Sequence, residues 1–357
     1  MKNILVTGGA GFIGSNFIKY MLKKYSDCKI INVDLLTYAG NLVNLKDIEG
    51  NSNHIFIKGD IRDRQKLADI FSIYDIDVLI NFAAESHVDR SIIDSEAFLT
   101  TNIIGTQVLL DTAKNSWKLN PDNEYYHIYK PGVKFVQIST DEVYGSLGKN
   151  GKFTEDTPLN PKNPYSASKA GADLLIKSYH ETFGLPVIIT RSSNNYGPFQ
   201  FPEKLIPLMI MNCLLDKNLP VYGDGQQIRD WLHVEDHCAA IDLILEKGVP
   251  GKTYNIGSNN ERTNLEIVKF IIKELGKSEK LIAHVQDRPG HDRRYAIDNS
   301  KIIKEMDWLP RHNFNQGLKE TIGWYIKNSG WINSVISDDS RNHYDATHIE
   351  VLKERGI

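Results

Sequence analysis

Three features of the 357-residue sequence predict an α/β fold with a doubly wound parallel sheet and a smaller C-terminal lobe. Short β-branched runs alternate with longer helical patterns through the first half of the chain, which is typical of repeated βαβ units. The runs are nearly all apolar, as expected of strands that are buried on both faces. A glycine cluster follows the first run directly. The predicted strands are residues 4–7, 29–34, 54–60, 78–83, 133–139 and 187–191.

A change in composition along the chain predicts two interleaved domains. Residues 1–193 carry the alternation of strands and helices and are predicted to form a Rossmann-type nucleotide-binding domain. Residues 194–330 are punctuated by Pro and Gly, which indicates a loop-rich lobe and substrate lid over the strand ends. A helical pattern that begins at Val234 predicts that the chain rejoins the first domain over about 228–250.

Two polar segments are predicted to lie outside this plan. Residues 116–131 are turn-rich and are expected to form a surface insertion before the fifth strand. Residues 331–357 are rich in Asp, Asn, Ser and Arg and show no clear core face, so we expect an accessory tail.

The composition argues against nucleic-acid and membrane partners. The chain has 42 basic and 45 acidic residues and a formal charge of −3, without a block of like charge. The first seven residues lead straight into the glycine cluster, which leaves no room for a signal peptide, so a cytoplasmic protein is expected. Cys28, Cys213 and Cys238 are too far apart for a zinc site or redox pair, and we predict free thiols and no metal.

The glycine cluster predicts a dinucleotide site. Gly8, Gly11 and Gly14 fit the spacing Gly-x-x-Gly-x-x-Gly between the first strand and a helix. Such glycines allow a tight turn and close approach of a pyrophosphate to the helix N-terminus. Asp34 ends the second strand twenty residues after Gly14, where its carboxylate would accept hydrogen bonds from a ribose and repel the extra phosphate of NADP. The alternative is a plain glycine turn and a solvated aspartate, but strand, glycines, helix and acid coincide, so NAD is the predicted cofactor.

Later strand ends extend this predicted site. Asp60 and Ile61 follow the third strand, and residues 82–86 follow the fourth. Ligands of open α/β sheets bind beyond the carboxyl ends of the strands. Small side chains at Ala83 and Ala84 would let a cofactor lie close to the backbone.

A tyrosine and a lysine predict an oxidation site. Tyr165 and Lys169 are four residues apart, which places them on one face of a helix. A neighbouring ammonium group would favour phenolate and lower the tyrosine pKa, which makes Tyr165 a usable general base. Such pairs are common by chance, but this one follows a dinucleotide motif and Thr140 at the end of a buried strand. The set resembles that of the extended short-chain dehydrogenase/reductase superfamily, whose members use Ser/Thr, Tyr and Lys to oxidise a sugar hydroxyl.

Two adjacent carboxylic acids predict a further reaction. Asp141 and Glu142 follow Thr140 directly. Eliminating water from C5 and C6 of a hexose needs a base for the C5 proton and an acid for the leaving hydroxyl. Sugar epimerases of the superfamily generally lack this acid pair. The alternative is a surface turn, which is disfavoured because the turn falls at the ligand end of the sheet.

With these residues the chain resembles the dTDP-glucose 4,6-dehydratases from about residue 1 to 325. The segments that carry the resemblance are 36–41, 84–91, 140–145, 193–198, 201–207, 227–231 and 287–295. The chain departs from the family mainly in the insertion near Asn120 and in the tail after Trp331. Neither departure touches a motif.

The glycine motif, the strand ends and the resemblance together give a residue-by-residue expectation. The expected NAD-binding residues are Gly8, Gly11, Phe12, Ile13, Gly14, Asp34, Leu35, Leu36, Thr37, Asp60, Ile61, Phe82, Ala83, Ala84, Glu85, Ser86, Thr101, Tyr165, Lys169 and Asn195. The residues expected to bind a nucleotide-sugar are Ser86, Thr140, Asn194, Lys204, Leu205, Pro220, Val221, Tyr222, Arg229, Asn264, Asp287, Arg288, Pro289, Gly290 and His291.

The resemblance also implies a reaction and an assembly. Tyr165, helped by Thr140 and Lys169, would take the C4 hydroxyl proton of dTDP-glucose while hydride passes to NAD. Glu142 would then deprotonate C5 and Asp141 protonate the C6 hydroxyl, and the returning hydride would give dTDP-4-keto-6-deoxyglucose, a precursor of deoxysugars such as rhamnose. A homodimer is expected through helices near 95–114 and 165–183. The alternatives are another nucleotide-sugar epimerase, decarboxylase or dehydratase, and a silent dinucleotide-sensing or scaffold protein.

Overall fold

The computed structural model describes residues 2–120, 122–123 and 127–336. Its strands are β1 (Asn3–Thr7), β2 (Lys29–Asp34), β3 (His54–Lys58), β4 (Val78–Asn81), β5 (Lys134–Thr140), β6 (Val187–Ser192), β7 (Asn194–Tyr196), β8 (Leu219–Tyr222), β9 (Ile228–His233), β10 (Thr253–Ile256), β11 (Glu261–Thr263) and β12 (Ile282–Val285). Its α-helices are α1 (Phe12–Lys24), α2 (Arg64–Tyr74), α3 (Val88–Ile93), α4 (Glu96–Phe98), α5 (Thr106–Trp117), α6 (Pro164–Phe183), α7 (Leu205–Leu214), α8 (Val234–Lys247), α9 (Asn264–Glu274), α10 (Ser300–Met306), α11 (Phe314–Lys327) and α12 (Ser329–Val335). A π-helical stretch, Leu99–Gly105, joins α4 to α5.

The main sheet has seven strands in the order β10-β6-β5-β4-β1-β2-β3, and every neighbouring pair is parallel. The chain starts at β1, moves to one edge through β2 and β3, and then crosses to β4 on the other side of β1. The order therefore reverses between β1 and β4, where ligands of doubly wound sheets bind. The predicted fold class is confirmed, and all six predicted strands are present.

Helices cover both faces of this sheet. Ile4 and Val6 of β1 point into a core with α1, α8 and α10, whereas Leu5 points into a second core with α2, α5 and α6. Successive side chains of a strand point to opposite faces. Both faces of the sheet are buried, so odd and even positions along a strand are both apolar. This explains the continuous apolar runs in the sequence.

The smaller lobe has its own core, formed by α7, α9, α11, α12 and β8. Two small sheets, β11-β9-β7 and β12-β8, belong to this part of the chain. The return to the large domain differs from the expected span of about 228–250. It consists of α8 and the edge strand β10, and β9 pairs with β7 and β11 instead. The strand β10 was not predicted from the sequence because Thr253 and Asn255 interrupt its apolar pattern.

The boundary predicted at residue 331 does not coincide with a change in packing. Trp331, Ile332 and Val335 of α12 are buried, and Trp331 Nε1 donates a hydrogen bond to Asn44 Oδ1 at 2.7 Å. The core face was missed because it spans barely two helical turns. The rest of the predicted tail, 337–357, lies outside the described residues.

The predicted insertion begins later than expected. Residues 116–117 complete α5, and the Trp117 side chain is fully buried. Lys118 then forms an isolated bridge with Tyr129. In the part of the chain that the structure describes, no helix combines the length and the apolar character needed to cross a bilayer.

Candidate active site

A cleft opens where the parallel strands end. The turns after β1, β2, β4, β5 and β6 all lie at this edge because the strands run in the same direction. The cleft is continuous from the glycine turn after β1 to the start of β7.

The glycine turn presents bare backbone to the cleft. Gly8 has φ +70°, and a Cβ there would lie 2.6 Å from the Ala83 amide nitrogen. A Cβ on Gly14 would lie 2.3 Å from the carbonyl oxygen of Gly8. Helix α1 begins at Phe12, and its N-cap, Gly11, has no side chain to accept the first amide hydrogens. The turn thus offers backbone donors at a helix N-terminus, which suits a pyrophosphate.

Asp34, the last residue of β2, lines the cleft beside the glycine turn. Its Oδ2 accepts a hydrogen bond from the Ala10 amide at 2.9 Å, and its Oδ1 accepts one from the Leu36 amide at 2.8 Å. Burial raises the pKa of Asp34, and these two backbone hydrogen bonds oppose the rise. A carboxylate has four lone-pair positions, so acceptor sites remain for ribose hydroxyls.

Every expected NAD-binding residue except Leu36 lines this cleft. Leu36 has φ +60°, and its side chain packs on the core beneath β1 instead. The sequence could not show that this side chain points away from the cleft, because Leu36 lies within segment 36–41, which matches the family. Further lining residues that were not predicted are Val33, Ala39, Gly40, Gly59, Ile138, Ser139, Ser192, Ser193, Gln200, Phe201 and Glu203.

A second cavity lies under the smaller lobe and contains most of the residues expected to bind a nucleotide-sugar. It is lined by Ser86, Asn194, Lys204, Leu205, Pro220, Val221, Tyr222, Arg229, Asn264, Arg288 and His291 from that set. Thr140 lines the first cleft instead, and Asp287, Pro289 and Gly290 line neither. Asp287 does not line the cavity but contacts a residue that does. Its carboxylate lies 2.6 Å from His291 Nδ1 and also accepts a hydrogen bond from Gln227.

The second cavity also has lining residues that were not predicted: His87, Val88, Asp89, Glu203, Leu208, Met209, Trp231 and Val285. The predicted catalytic residue Glu142 lines it as well. His87, Val88, Asp89 and Glu203 belong to matching segments, and that membership was the available signal. Ser86, Glu142, Asn194, Glu203 and Lys204 line both cavities. They mark the junction where a cofactor and a sugar would meet.

Asp141 and Glu142 occupy a short helical turn after β5, and both carboxyl groups are buried. Asp141 Oδ2 and Glu142 Oε2 have no hydrogen-bond partner among the described residues. Buried polar atoms are normally paired, so two open acceptors at this junction fit a site that receives sugar hydroxyls.

The two carboxyl groups have different electrostatic surroundings. Burial, followed by the charges of Glu142 and Asp230, raises the pKa of Asp141 well above its usual range. Burial also raises the pKa of Glu142, but the cations Arg288, Arg229 and Lys204 oppose the rise. Asp141 is therefore the better proton donor and Glu142 the better base.

Tyr165 and Lys169 lie on α6, which Asn163 and Ser166 start with a capping box. Lys169 Nζ donates a hydrogen bond to the Ile138 carbonyl at 2.7 Å, and burial lowers its pKa to about 8. A lowered pKa was predicted for Tyr165, and this prediction was wrong. Burial and the charge of Glu142 raise the pKa of Tyr165, with a hydrogen bond to Thr140 in opposition.

A buried ion pair anchors the same helix. Arg191 Nε donates to Asp173 Oδ2 at 2.9 Å, and both side chains are fully buried. Asp173 is one turn beyond Lys169 on α6, so the pair ties this helix to β6. On the other side, Asn102 of the π-helical stretch donates to Ser168 Oγ at 2.8 Å. These contacts hold Tyr165 and Lys169 at the junction.

The chain is similar to proteins of known families and structures. A family model described as GDP-mannose 4,6 dehydratase matches residues 5–321. A dTDP-glucose 4,6-dehydratase of Xanthomonas campestris pv. campestris (strain B100) is 50% identical over 350 residues, covering 96% of this chain and 98% of the relative.

Two solved structures are also similar. A dTDP-glucose 4,6-dehydratase from Bacillus anthracis, in complex with NAD, is 53% identical with a TM-score of 0.85, covering 94% of this chain and 100% of that chain. One from Streptomyces venezuelae, with NAD bound, is 45% identical with a TM-score of 0.86, covering 93% of this chain and 99% of that chain. A family model over most of the chain and relatives at this identity and coverage lead to one conclusion: the chain belongs to the dTDP-glucose 4,6-dehydratase family of nucleotide-sugar dehydratases.

Proposed function

We propose that the protein catalyses the NAD-dependent dehydration of dTDP-glucose to dTDP-4-keto-6-deoxyglucose and water. The observation that carries this proposal is the buried pair Asp141 and Glu142, with contrasting surroundings, beside Tyr165 where two cavities meet. An enzyme that only moved a hydride would have no use for an acid and a base there.

The first cleft suits NAD. The glycine turn and the N-terminus of α1 would hold the pyrophosphate, and Asp34 would accept hydrogen bonds from the adenosine ribose. The junction end, near Tyr165 and Lys169, would hold the nicotinamide. When bound, NAD accepts a hydride from C4 of the sugar and gives it back at C6.

Residues at or beside the junction carry out the proton transfers. Tyr165 takes the proton of the C4 hydroxyl, with Thr140 as its hydrogen-bond partner and Lys169 about one turn further along α6. The resulting 4-ketone acidifies the proton on C5. Glu142 removes that proton, and Asp141 donates a proton to the C6 hydroxyl so that it leaves as water. A proton returns to C5 when the hydride reaches C6.

The second cavity suits the nucleotide diphosphate. Arg229 is buried, and it donates to the Asp292 carbonyl at 2.9 Å while its guanidinium stacks 4.2 Å from the centre of the Tyr295 ring. Arg288 Nη1 lies 3.4 Å from Asp89 Oδ1. A fixed guanidinium suits the planar, bidentate recognition of phosphate or a base. Lys204, at the junction, adds a third cation beside the sugar end.

A direct assay tests the function. Purified protein incubated with dTDP-glucose should give a product lighter by one water, and in deuterated solvent this product should carry deuterium at C5. UDP-glucose and GDP-mannose serve as substrate controls. An epimerase would give an isomer of unchanged mass, and a decarboxylase, which needs a sugar acid, would leave dTDP-glucose unchanged; either result would overturn the proposal.

A homodimer is part of this proposal. Helices α4, α5 and α6 and the π-helical stretch 99–105 lie side by side, and large apolar side chains in them are exposed, among them Leu99, Ile104 and Leu174. Burying such side chains against a second copy removes apolar surface from water. The proposal follows the family resemblance, which implies an interface through the helices near 95–114 and 165–183.

A further inference from the structure

Three chain segments meet beside the NAD cleft, and residues 37–40, 86–90 and 201–204 are called the rim segments here. Thr37, Ala39 and Gly40 line the cleft on the large-domain side. Phe201, Glu203 and Lys204 line it from the chain that leads into the smaller lobe. Tyr38 connects the two walls, since its hydroxyl donates a hydrogen bond to Glu203 Oε1 at 3.0 Å.

The carboxylate of Glu203, which accepts this hydrogen bond, is itself held in place by neighbouring groups. Its side chain is only 4% exposed, and its carboxylate lies 3.5 Å from Lys204 Nζ and 3.6 Å from His87 Nε2. His87 Nδ1 accepts a hydrogen bond from the Arg90 amide, so the ring proton is on Nε2 and faces Glu203. Two positively polarised groups therefore hold the carboxylate in place for Tyr38.

The ring of Tyr38 is held as firmly as its hydroxyl. The Arg90 guanidinium lies 3.9 Å from the ring centre, and the edge of the Phe201 ring meets it at 5.7 Å. Burial, followed by the charge of Glu203, raises the pKa of Tyr38, so the phenol keeps its proton and remains a donor. The side chain of Tyr38, which belongs to one rim segment, thus contacts the other two.

We propose that the Tyr38–Glu203 hydrogen bond is a latch that slows the release of NAD. It joins the two walls of the cleft, so they cannot separate while it is intact. The latch rests on the proposed function, in which the hydride taken from C4 must return to C6 of the same sugar. If reduced cofactor left in mid-turnover, the sugar would be stranded as an oxidised intermediate. Tyr38 touches neither reacting group and acts as a positioning residue.

The test is the rate at which NAD leaves the purified holoenzyme, measured without any sugar. A dehydrogenase that consumes free NAD reports each molecule released. Tyr38→Phe keeps the ring and its stacking but removes the hydrogen bond to a charged acceptor, so NAD should leave about tenfold faster, equivalent to about 1.4 kcal/mol. Tyr38→Ala also removes the Arg90 and Phe201 contacts, and release should accelerate by about a hundredfold.

Tyr254→Phe is the matched control. Tyr254 also donates to a glutamate, Glu305 Oε2, at 3.0 Å, but this pair is remote from both cavities. Release from this variant should equal that of the wild type. Unchanged release from both Tyr38 variants, or equal acceleration in the Tyr254 control, would overturn the latch. A holoenzyme that shows the latch but does not dehydrate dTDP-glucose would instead refute the proposed function alone.

Discussion

Asp141 and Glu142 are adjacent in the chain, yet different charges surround their carboxyl groups. The anions Glu142 and Asp230 reinforce the effect of burial on the pKa of Asp141, and Arg229 opposes it. At Glu142 three cations oppose the effect of burial, although Asp292 reinforces it. The pKa of both acids is raised, but cations favour the ionised form more strongly at Glu142, as elimination by one acid and one base requires.

Variants of these acids should separate elimination from oxidation. Asp141→Asn removes a proton donor but preserves shape, and Glu142→Gln removes the base. Each change should slow product formation by roughly 10²–10⁴-fold while substrate binding and C4 oxidation survive. Stopped-flow absorbance should then show bound NADH accumulating. Tyr165→Phe should form no NADH, because nothing takes the C4 hydroxyl proton.

A surface substitution provides the control for the acid pair. Asp156→Asn makes the same chemical change at an exposed position and should leave both phases unchanged. Turnover of Asp141→Asn and Glu142→Gln at nearly the wild-type rate would show that the pair is structural.

The pH dependence of turnover should report the same pair. Glu142 works only when ionised and Asp141 only when protonated, and the pKa of each is raised, chiefly by burial. The rate should therefore fall with decreasing pH at values above the usual glutamate range, and fall again at high pH as Asp141 loses its proton. Because the two carboxyl groups interact, the two apparent pKa values of the rate profile belong to the pair and not to either residue alone. In Asp141→Asn the high-pH limb of kcat should change; an identical profile would contradict the assignment.

The enzyme should purify with NAD bound and turn over without added cofactor. The hydride taken at C4 is returned at C6, so no cofactor is consumed, and the walls of the cleft are joined across it by Tyr38. Dialysed protein given dTDP-glucose should continue to turn over. Stoichiometric appearance of NADH in solution would indicate an ordinary dehydrogenase.

The protein should be a dimer at micromolar concentration. Leu174 on α6 and Ile104 in the π-helical stretch are 58% and 49% exposed, and a second copy would cover them. Leu174→Glu should place a charge in the interface and shift the mass measured by light scattering toward the monomer. Ile73→Glu, on α2 and outside these helices, is the control. A monomeric wild type would refute the interface.

Helix α12 should contribute to the stability of the smaller lobe. Trp331 is 8% exposed, and its ring packs against Trp324, Phe199 and Tyr325. Trp331→Ala should lower the free energy of unfolding by about 3 kcal/mol, as measured by denaturant titration. Trp331→Phe should lower the free energy of unfolding by less, because it retains an aromatic ring. The remaining loss would come from the missing hydrogen bond to Asn44. Unchanged stability of the alanine variant would place α12 outside the core.

Local sequence determined the sheet, the glycine turn and the identity of the reacting groups. A run such as residues 187–189 is apolar at every position because both faces of its strand are buried, and each residue of the run reflects that requirement. A Cβ on Gly14 would collide with the backbone of Gly8 and Gly9, so the role of Gly14 depends on near neighbours in the sequence. Thr140, Asp141, Glu142 and Tyr165 could be selected because their chemistry matches one reaction.

Tertiary structure alone decided the direction and the partners of individual side chains. Leu36 lies inside a matching motif but packs into the core, and Lys169 donates to the Ile138 carbonyl. Tyr38 and Glu203 are 165 residues apart, and nothing in either residue type distinguishes it from a solvated surface group. Charge, burial and hydrogen bonding depend on what folding brings within a few ångströms, and separation along the chain does not encode those distances.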